Sequence, residues 1–247
     1  MNYFWDTRET IPAGMGFPLF GTVHLATIAL MVLSIWLNCI YYRKLDSEKR
    51  SLWRKTVGAL LLLDELFKLL PMLVTGRFLW DYLPFHLCSI NLFLINYHAW
   101  HPSKALDNFL YTVCIPGALA AMLFSSWTKL PAWNYKFLHS VSVHILLVMY
   151  PVVLFVNKEI VPDWRELPKT LLLLLGLGAI ALVLNLLLDT NFMFLMDPET
   201  GNPLELFEKL CGNHLVGFPV LVTAVIGLMH IPLIVSKRIK EKKNPTA

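Results

Sequence analysis

The sequence predicts an all-α polytopic membrane protein with seven transmembrane helices, its N-terminus outside and its C-terminus in the cytoplasm. Three observations predict it. The 247-residue chain is 56% hydrophobic and only 15% charged, with a mean hydropathy of +0.58, too little charge to coat a soluble domain of this size. Seven stretches approach the roughly 20 apolar residues that a spanning helix requires. Finally, Lys and Arg fall very unevenly between the loops of the two sides, which sets orientation. Residues 1–17 read as an extracytoplasmic segment, 18–236 as the transmembrane domain and 237–247 as a basic cytoplasmic tail.

The spans are expected at 18–42, 52–75, 82–100, 104–126, 136–157, 167–190 and 213–236. The second is the least lipid-like, because "LLLDELFKLL" places Asp64, Glu65 and Lys68 inside it. The third opens with "DYLPFHLCSINLF"; Pro84 suits a first helical turn, where its missing N–H costs nothing, and Asp81 suits a cap. The fifth carries "WNYKFLHSVSVHILLVMYP" and the sixth "LLLLLGLGAIALVLNLLL". Eight Trp, eight Tyr and fifteen Phe fit helix ends seated in the headgroup zone. "MNYFWDTRET" lacks a basic n-region, so no cleaved signal peptide is expected.

Fifteen of the 21 Lys and Arg lie on one side. They are Arg43, Lys44, Lys49, Arg50, Arg54 and Lys55; Lys104; Lys158, Arg165 and Lys169; and Lys237, Arg238, Lys240, Lys242 and Lys243. The other side holds Arg8, Arg77, Lys129, Lys136 and Lys209. The net charge of +4 is therefore a topology signal and not a nucleic-acid patch. Membrane lipids are the expected partners. No GxGxxG, Walker, HExxH, CxxC or GxSxG pattern is present, and no cofactor is implied.

With this orientation, His24, His86, Cys88, His139, His144 and His214 fall in the outer half of inward-running helices. Lys68, Asn185 and Asp189 fall in the outer half of helices running outward, with Asp64 and Glu65 near mid-membrane. The inner half has fewer polar groups, chiefly Ser34, Asn38, Asn96 and His98. Ionisable groups at depth face a bundle interior or a wet cavity. The expectation is a polar pocket opening outward.

Cys88 is expected within two turns of a helix N-terminus, where the dipole favours a thiolate. His86 falls on a nearly opposite face, whereas Asn91 shares the face of Cys88 and can donate a hydrogen bond. A base for Cys88 is expected from another helix; packing is the alternative role for the cysteine. His139 and His144 are separated by about 140° around a helix, unlike a metal-binding i,i+4 pair. His144 shares a face with Ser140 and is the base candidate, with a helix-to-helix hydrogen bond as its alternative. Asp64 and Lys68, spaced i,i+4, can neutralise each other, leaving Glu65 to find another partner or line the pocket. His24 and His214 gate or line it. Cys39 and Cys114 read as packing, and Cys211 lies on the side of Cys88, so that a disulfide between the two is topologically open.

With "LPFHLCSI", "HSVSVHILLVMYP" and "NFMFLMDPETGNPL" in order, the chain resembles the YwaF-like family of bacterial seven-helix membrane proteins over roughly 15–236. That family is similar, more distantly, to the eukaryotic transmembrane protein 164 group, which includes a cysteine-dependent phospholipid acyltransferase. The resemblance implies acyl transfer with Cys88 as the acyl carrier and His144 as its supporting histidine. Around the cysteine the order here is His-Leu-Cys-Ser, where the relatives read Pro-Cys-His.

The sequence thus points to membrane-embedded acyl transfer or hydrolysis on a lipid. In this reading Cys88 attacks, His144 is base then acid, and His86 or Asn91 holds the oxyanion. His24, Glu65, His139, Asn185 and His214 complete the pocket. The alternative from another class is a transporter or sensor binding a proton or small solute through Asp64, Glu65 and the histidines. A zinc hydrolase is disfavoured by the histidine spacing. The expected location is the cell membrane.

Overall fold

The computed structural model describes residues 3–8, 10–76, 78–199 and 202–243, the stretch 236–243 by backbone alone. Arg77 and the side chains of the expected basic tail lie outside the described residues. Those described form an all-helical bundle without strands. Five segments are long and apolar enough to cross a membrane: Thr22–Arg43, Lys104–Lys129, Tyr135–Val156, Trp164–Leu188 and His214–Val235.

α6 (Tyr135–Val156) is the central rod. Fourteen of its 22 residues are buried, and it packs against α1 (Thr22–Arg43), α2 (Ser47–Val74), α3 (Leu87–Trp100) and α5 (Ile115–Leu123). Pro151 sits inside it. Proline has no N–H, so the Leu147 carbonyl four residues earlier loses its helical donor. The Cys114 thiol takes that place, donating to Leu147 O at 3.4 Å.

A second proline reshapes the neighbouring rod. α4 (Lys104–Phe109) passes through a wide π turn, Leu110–Cys114, into α5. Pro116 supplies no N–H to the Thr112 carbonyl and would crowd it in a regular helix; widening the preceding turn relieves the clash. The expected uninterrupted helix over 104–126 is thus a jointed rod.

Two further boundaries differ from expectation. α2 starts at Ser47, capped by Asp46, whose side chain accepts Lys49 N–H. α3 starts only at Leu87, with His86 at the N-cap position. Its expected first turn is instead a short 3₁₀ turn, Trp80–Tyr82, followed by irregular backbone through Pro84. Fourteen residues make a rod of about 21 Å, shorter than the roughly 30 Å hydrocarbon core.

Long-range bonds define two ends of the bundle. At one, His24 at the start of α1 meets Met122 near the end of α5, and Asp64 in the second half of α2 meets His139 near the start of α6. The N-terminal segment folds over this end, where Asn134 holds the Tyr3 and Asp6 carbonyls at 2.8 and 2.9 Å. At the other end, Tyr42 closes α1 against Glu159, just beyond α6. α7 (Leu167–Leu188), α8 (Leu204–Cys211) and α9 (Gly217–Lys243) complete the chain.

Candidate functional site

Cys88 occupies the second residue of α3 and is half-buried. It is therefore in the first turn, where backbone N–H groups have no partner within the helix. Asn91 lies one turn on, 1% exposed. Its Oδ1 has no hydrogen-bond partner among the described residues, an open acceptor three residues from the thiol. All four cysteines are free, which removes the disulfide considered between Cys88 and Cys211.

His86 turns away from Cys88 toward the segment after α7. Its Nδ1 accepts Met193 N–H at 3.4 Å, and its ring meets Phe192 and Phe194 with centroids at 5.5 and 5.6 Å. That segment carries Asp189, Met193 and Phe194 at positive φ, a conformation that needs outside support in residues other than glycine. Asn185 supplies it, donating to Phe192 O and accepting from Phe192 N–H and Thr190 Oγ1. Both ends of the Asn185 amide are thereby engaged in shaping the loop that seats His86.

His144 is buried, with its ring 4.7 Å from that of Trp127. Its Nδ1 lies 2.6 Å from the Ser140 carbonyl. A carbonyl only accepts, so Nδ1 carries the proton and Nε2 keeps a lone pair. That is the tautomer a general base requires. No hydrogen bond or ion pair joins His144 to Cys88 among the described residues.

The charges of α2 pair differently from expectation. Lys68 forms its ion pair with Glu65, not with Asp64. Asp64 instead receives Ser142 Oγ–H and the Nδ1–H of His139, the latter at 3.1 Å. The other nitrogen of His139 is 3.8 Å from Glu65 Oε2. Both spacings put an acid within reach of Lys68; the arrival of His139 and Ser142 from α6 settles the choice, because they fill the oxygens of Asp64. Glu65 is 4% exposed and Lys68 9%, so the carboxylate and ammonium are desolvated together.

The two remaining histidines make bonds that tie the scaffold. His24 accepts Phe20 N–H at Nδ1 and donates from Nε2 to Met122 O at 2.7 Å. His214 donates from Nε2 to Phe194 O and meets Glu208 through both its backbone and its ring. All the residues expected near the outward mouth share this end of the bundle.

The opposite end is richer than its sequence suggested. Glu159 accepts from Tyr42 OH at 2.7 Å and pairs with Arg54 at 2.7 Å and Arg50 at 3.2 Å. His98 bridges Tyr150 OH at 2.8 Å and Asp107 at 2.7 Å. Trp53 stacks on Tyr150 and bonds Asn38. The arginines read as topology markers and the tyrosines as belt residues, so only the His98 and Asn38 members carried a signal.

The TMEM164 family model matches residues 19–230, which include both ends of the bundle. No curated protein matches, and no solved structure matches.

Proposed function

This chain belongs to the TMEM164 family, and from that membership and the placement of Cys88 we propose that it is a membrane-embedded acyltransferase or acyl hydrolase acting on phospholipid. Its motifs "LPFHLCSI", "HSVSVHILLVMYP" and "NFMFLMDPETGNPL" support a relationship to the bacterial YwaF-like proteins. The carrying observation is a free thiol in the first turn of a helix too short to span the bilayer. With the far end of α3 at the membrane surface, its N-terminus lies about 10 Å below the other surface, a depth suited to acyl ester carbonyls. The reading takes α2 as one further crossing beside the five apolar spans, and α3 with the irregular segment that precedes it as another, giving seven crossings, with the Cys88 end outward and the tail in the cytoplasm of a bacterial cell.

The chemistry runs in two balanced steps. Cys88 gives its proton to His144 Nε2 and its sulfur attacks the ester carbonyl; the C–O bond breaks, His144 returns the proton to the departing lysophospholipid oxygen, and a thioester remains. A second lysophospholipid hydroxyl, or water, then attacks the thioester, giving its proton to His144, which passes it to the leaving sulfur. The Nδ2–H donors of Asn91 and the first amides of α3 bind the developing oxyanion, and the Asn91 Oδ1 acceptor faces the attacking hydroxyl or water. Asp64, Glu65, Lys68 and His139 hold the adjoining wall.

The buried Asp64–His139–Glu65–Lys68 cluster favours one second reading, a proton-coupled transporter or sensor. Transfer of a labelled fatty acyl group between phospholipids in proteoliposomes separates the two. The wild type, Cys39→Ala and Cys114→Ala transfer label. Cys88→Ala does not, and His144→Ala is slower by about 10²–10⁴-fold, the range for losing a general base. Full transfer by Cys88→Ala would overturn the mechanism and give first place to the second reading.

A further inference from the structure

A cavity of about 260 Å³ opens at the end of the bundle remote from Cys88, lined by Leu45, Ser47, Arg50, Arg54 and Glu159. Its walls are built for an anion. Arg50 and Arg54 come from successive turns of α2 and direct their Nη1 groups to the two oxygens of Glu159. One carboxylate set against two guanidiniums leaves one net positive charge. The Arg54 Nε is buried without a hydrogen-bond partner among the described residues, an unused N–H donor. Ser47, the first residue of the 28-residue α2, lines the rim; the Asp46 carboxylate caps that helix end, so the positive character of the cavity comes from the two arginines. Tyr42 OH, 3.4 Å from Arg54 Nη1 as well as bonded to Glu159, holds the group in register.

We infer that this cavity binds a phosphate group. Guanidinium forks match phosphate oxygens bidentately. The side chain of Glu159 occupies part of that recognition surface, its carboxylate oxygens meeting the guanidiniums as phosphate oxygens would. The cavity lies at the membrane end crowded with Arg43, Lys44, Lys49, Lys55, Lys158 and Arg165, so the phosphate of an anionic lipid headgroup reaches it with favourable electrostatics. Free inorganic phosphate offers the same chemistry. This site is separate from the thiol chemistry and does not depend on it.

The test uses the full chain in lipid nanodiscs. In one arm, phosphatidylcholine discs contain added phosphatidylglycerol, and native mass spectrometry reads which lipid stays bound. In the other, inorganic phosphate is titrated into phosphatidylcholine discs and the thermal transition is followed. The wild type retains phosphatidylglycerol over phosphatidylcholine. Arg50→Gln, which leaves the Arg54–Glu159 pair in place, lowers that preference about tenfold, as for loss of one charge-assisted bond. Glu159→Gln, which removes the competing carboxylate, raises it; a misfolded protein would not gain affinity. A phosphate-dependent rise in the wild-type transition that Arg50→Gln abolishes, without lipid preference, keeps the site and makes free phosphate the ligand. Equal retention by the wild type and both variants, with no response to phosphate, overturns the inference.

Discussion

His139 Nδ1 lies 3.1 Å from Asp64 Oδ1 while its Nε2 lies 3.8 Å from Glu65 Oε2, so one imidazole from α6 stands between two adjacent carboxylates of α2. Lys68 pairs with Glu65 on the far side, so the four side chains form one buried polar chain. Removing one member leaves a buried charge uncompensated, which costs about 3–5 kcal/mol. Lys68→Met is therefore expected to lower the unfolding temperature in detergent strongly, and Glu65→Gln combined with Lys68→Met to recover most of the loss. Additive losses in the double variant would show that the two side chains are independent.

Gly58 lets α2 approach α3. A Cβ there would come within 2.7 Å of Asn96 Oδ1, and Asn96 Nδ2 already donates to the Gly58 carbonyl at 2.9 Å. Gly58→Ala should push the helices apart at a cost of about 1–3 kcal/mol, the usual range for overpacking. Thermal unfolding measures it; Gly176→Ala, at a position with open space around the new methyl, is the neutral control.

Asn185 holds the backbone that seats His86. Asn185→Ala leaves Phe192 N–H and Phe192 O without their side-chain partner, at about 1–3 kcal/mol for buried groups. Faster amide hydrogen exchange across residues 189–196, with unchanged exchange in α6, is the expected result. Uniformly faster exchange would mean that the amide supports the whole bundle instead.

Reporter fusions test the orientation. Fusions at the N-terminus and in the α7–α9 connection should report the exterior, and those at the C-terminus the cytoplasm, as the basic residues direct. An exterior tail would reverse the assignment of both the thiol end and the arginine cavity.

The helical rods were legible because lipid imposes length and apolarity: the expected 136–157 appears as Tyr135–Val156. The meeting of His139 with Asp64 and Glu65 agrees with the depths that antiparallel direction assigns to α2 and α6. Partner choice does not follow from direction. Lys68 has acids at both i−3 and i−4, and only a residue 75 positions away from Asp64 decides between them. The late start of α3 escaped for a related reason: Pro84 fits a first helical turn locally, yet the chain stays irregular until His86, which the loop after α7 fixes in place. The network of Tyr42, Arg54, Tyr150 and Glu159 was hidden because the arginine read as a topology marker and the tyrosines as interfacial aromatics, while Glu159, in a loop beyond the span, carried no signal.

The central claim is that Cys88 carries the acyl group, and mass analysis of the protein during turnover tests it most directly. Purified protein in liposomes of phospholipid with a labelled acyl chain is quenched in acid and digested. The account predicts the added acyl mass on the peptide containing Cys88, removed by neutral hydroxylamine as a thioester is, and absent from Cys88→Ala. Acyl transfer that proceeds with Cys88 unmodified, or with the label on another residue, would contradict it.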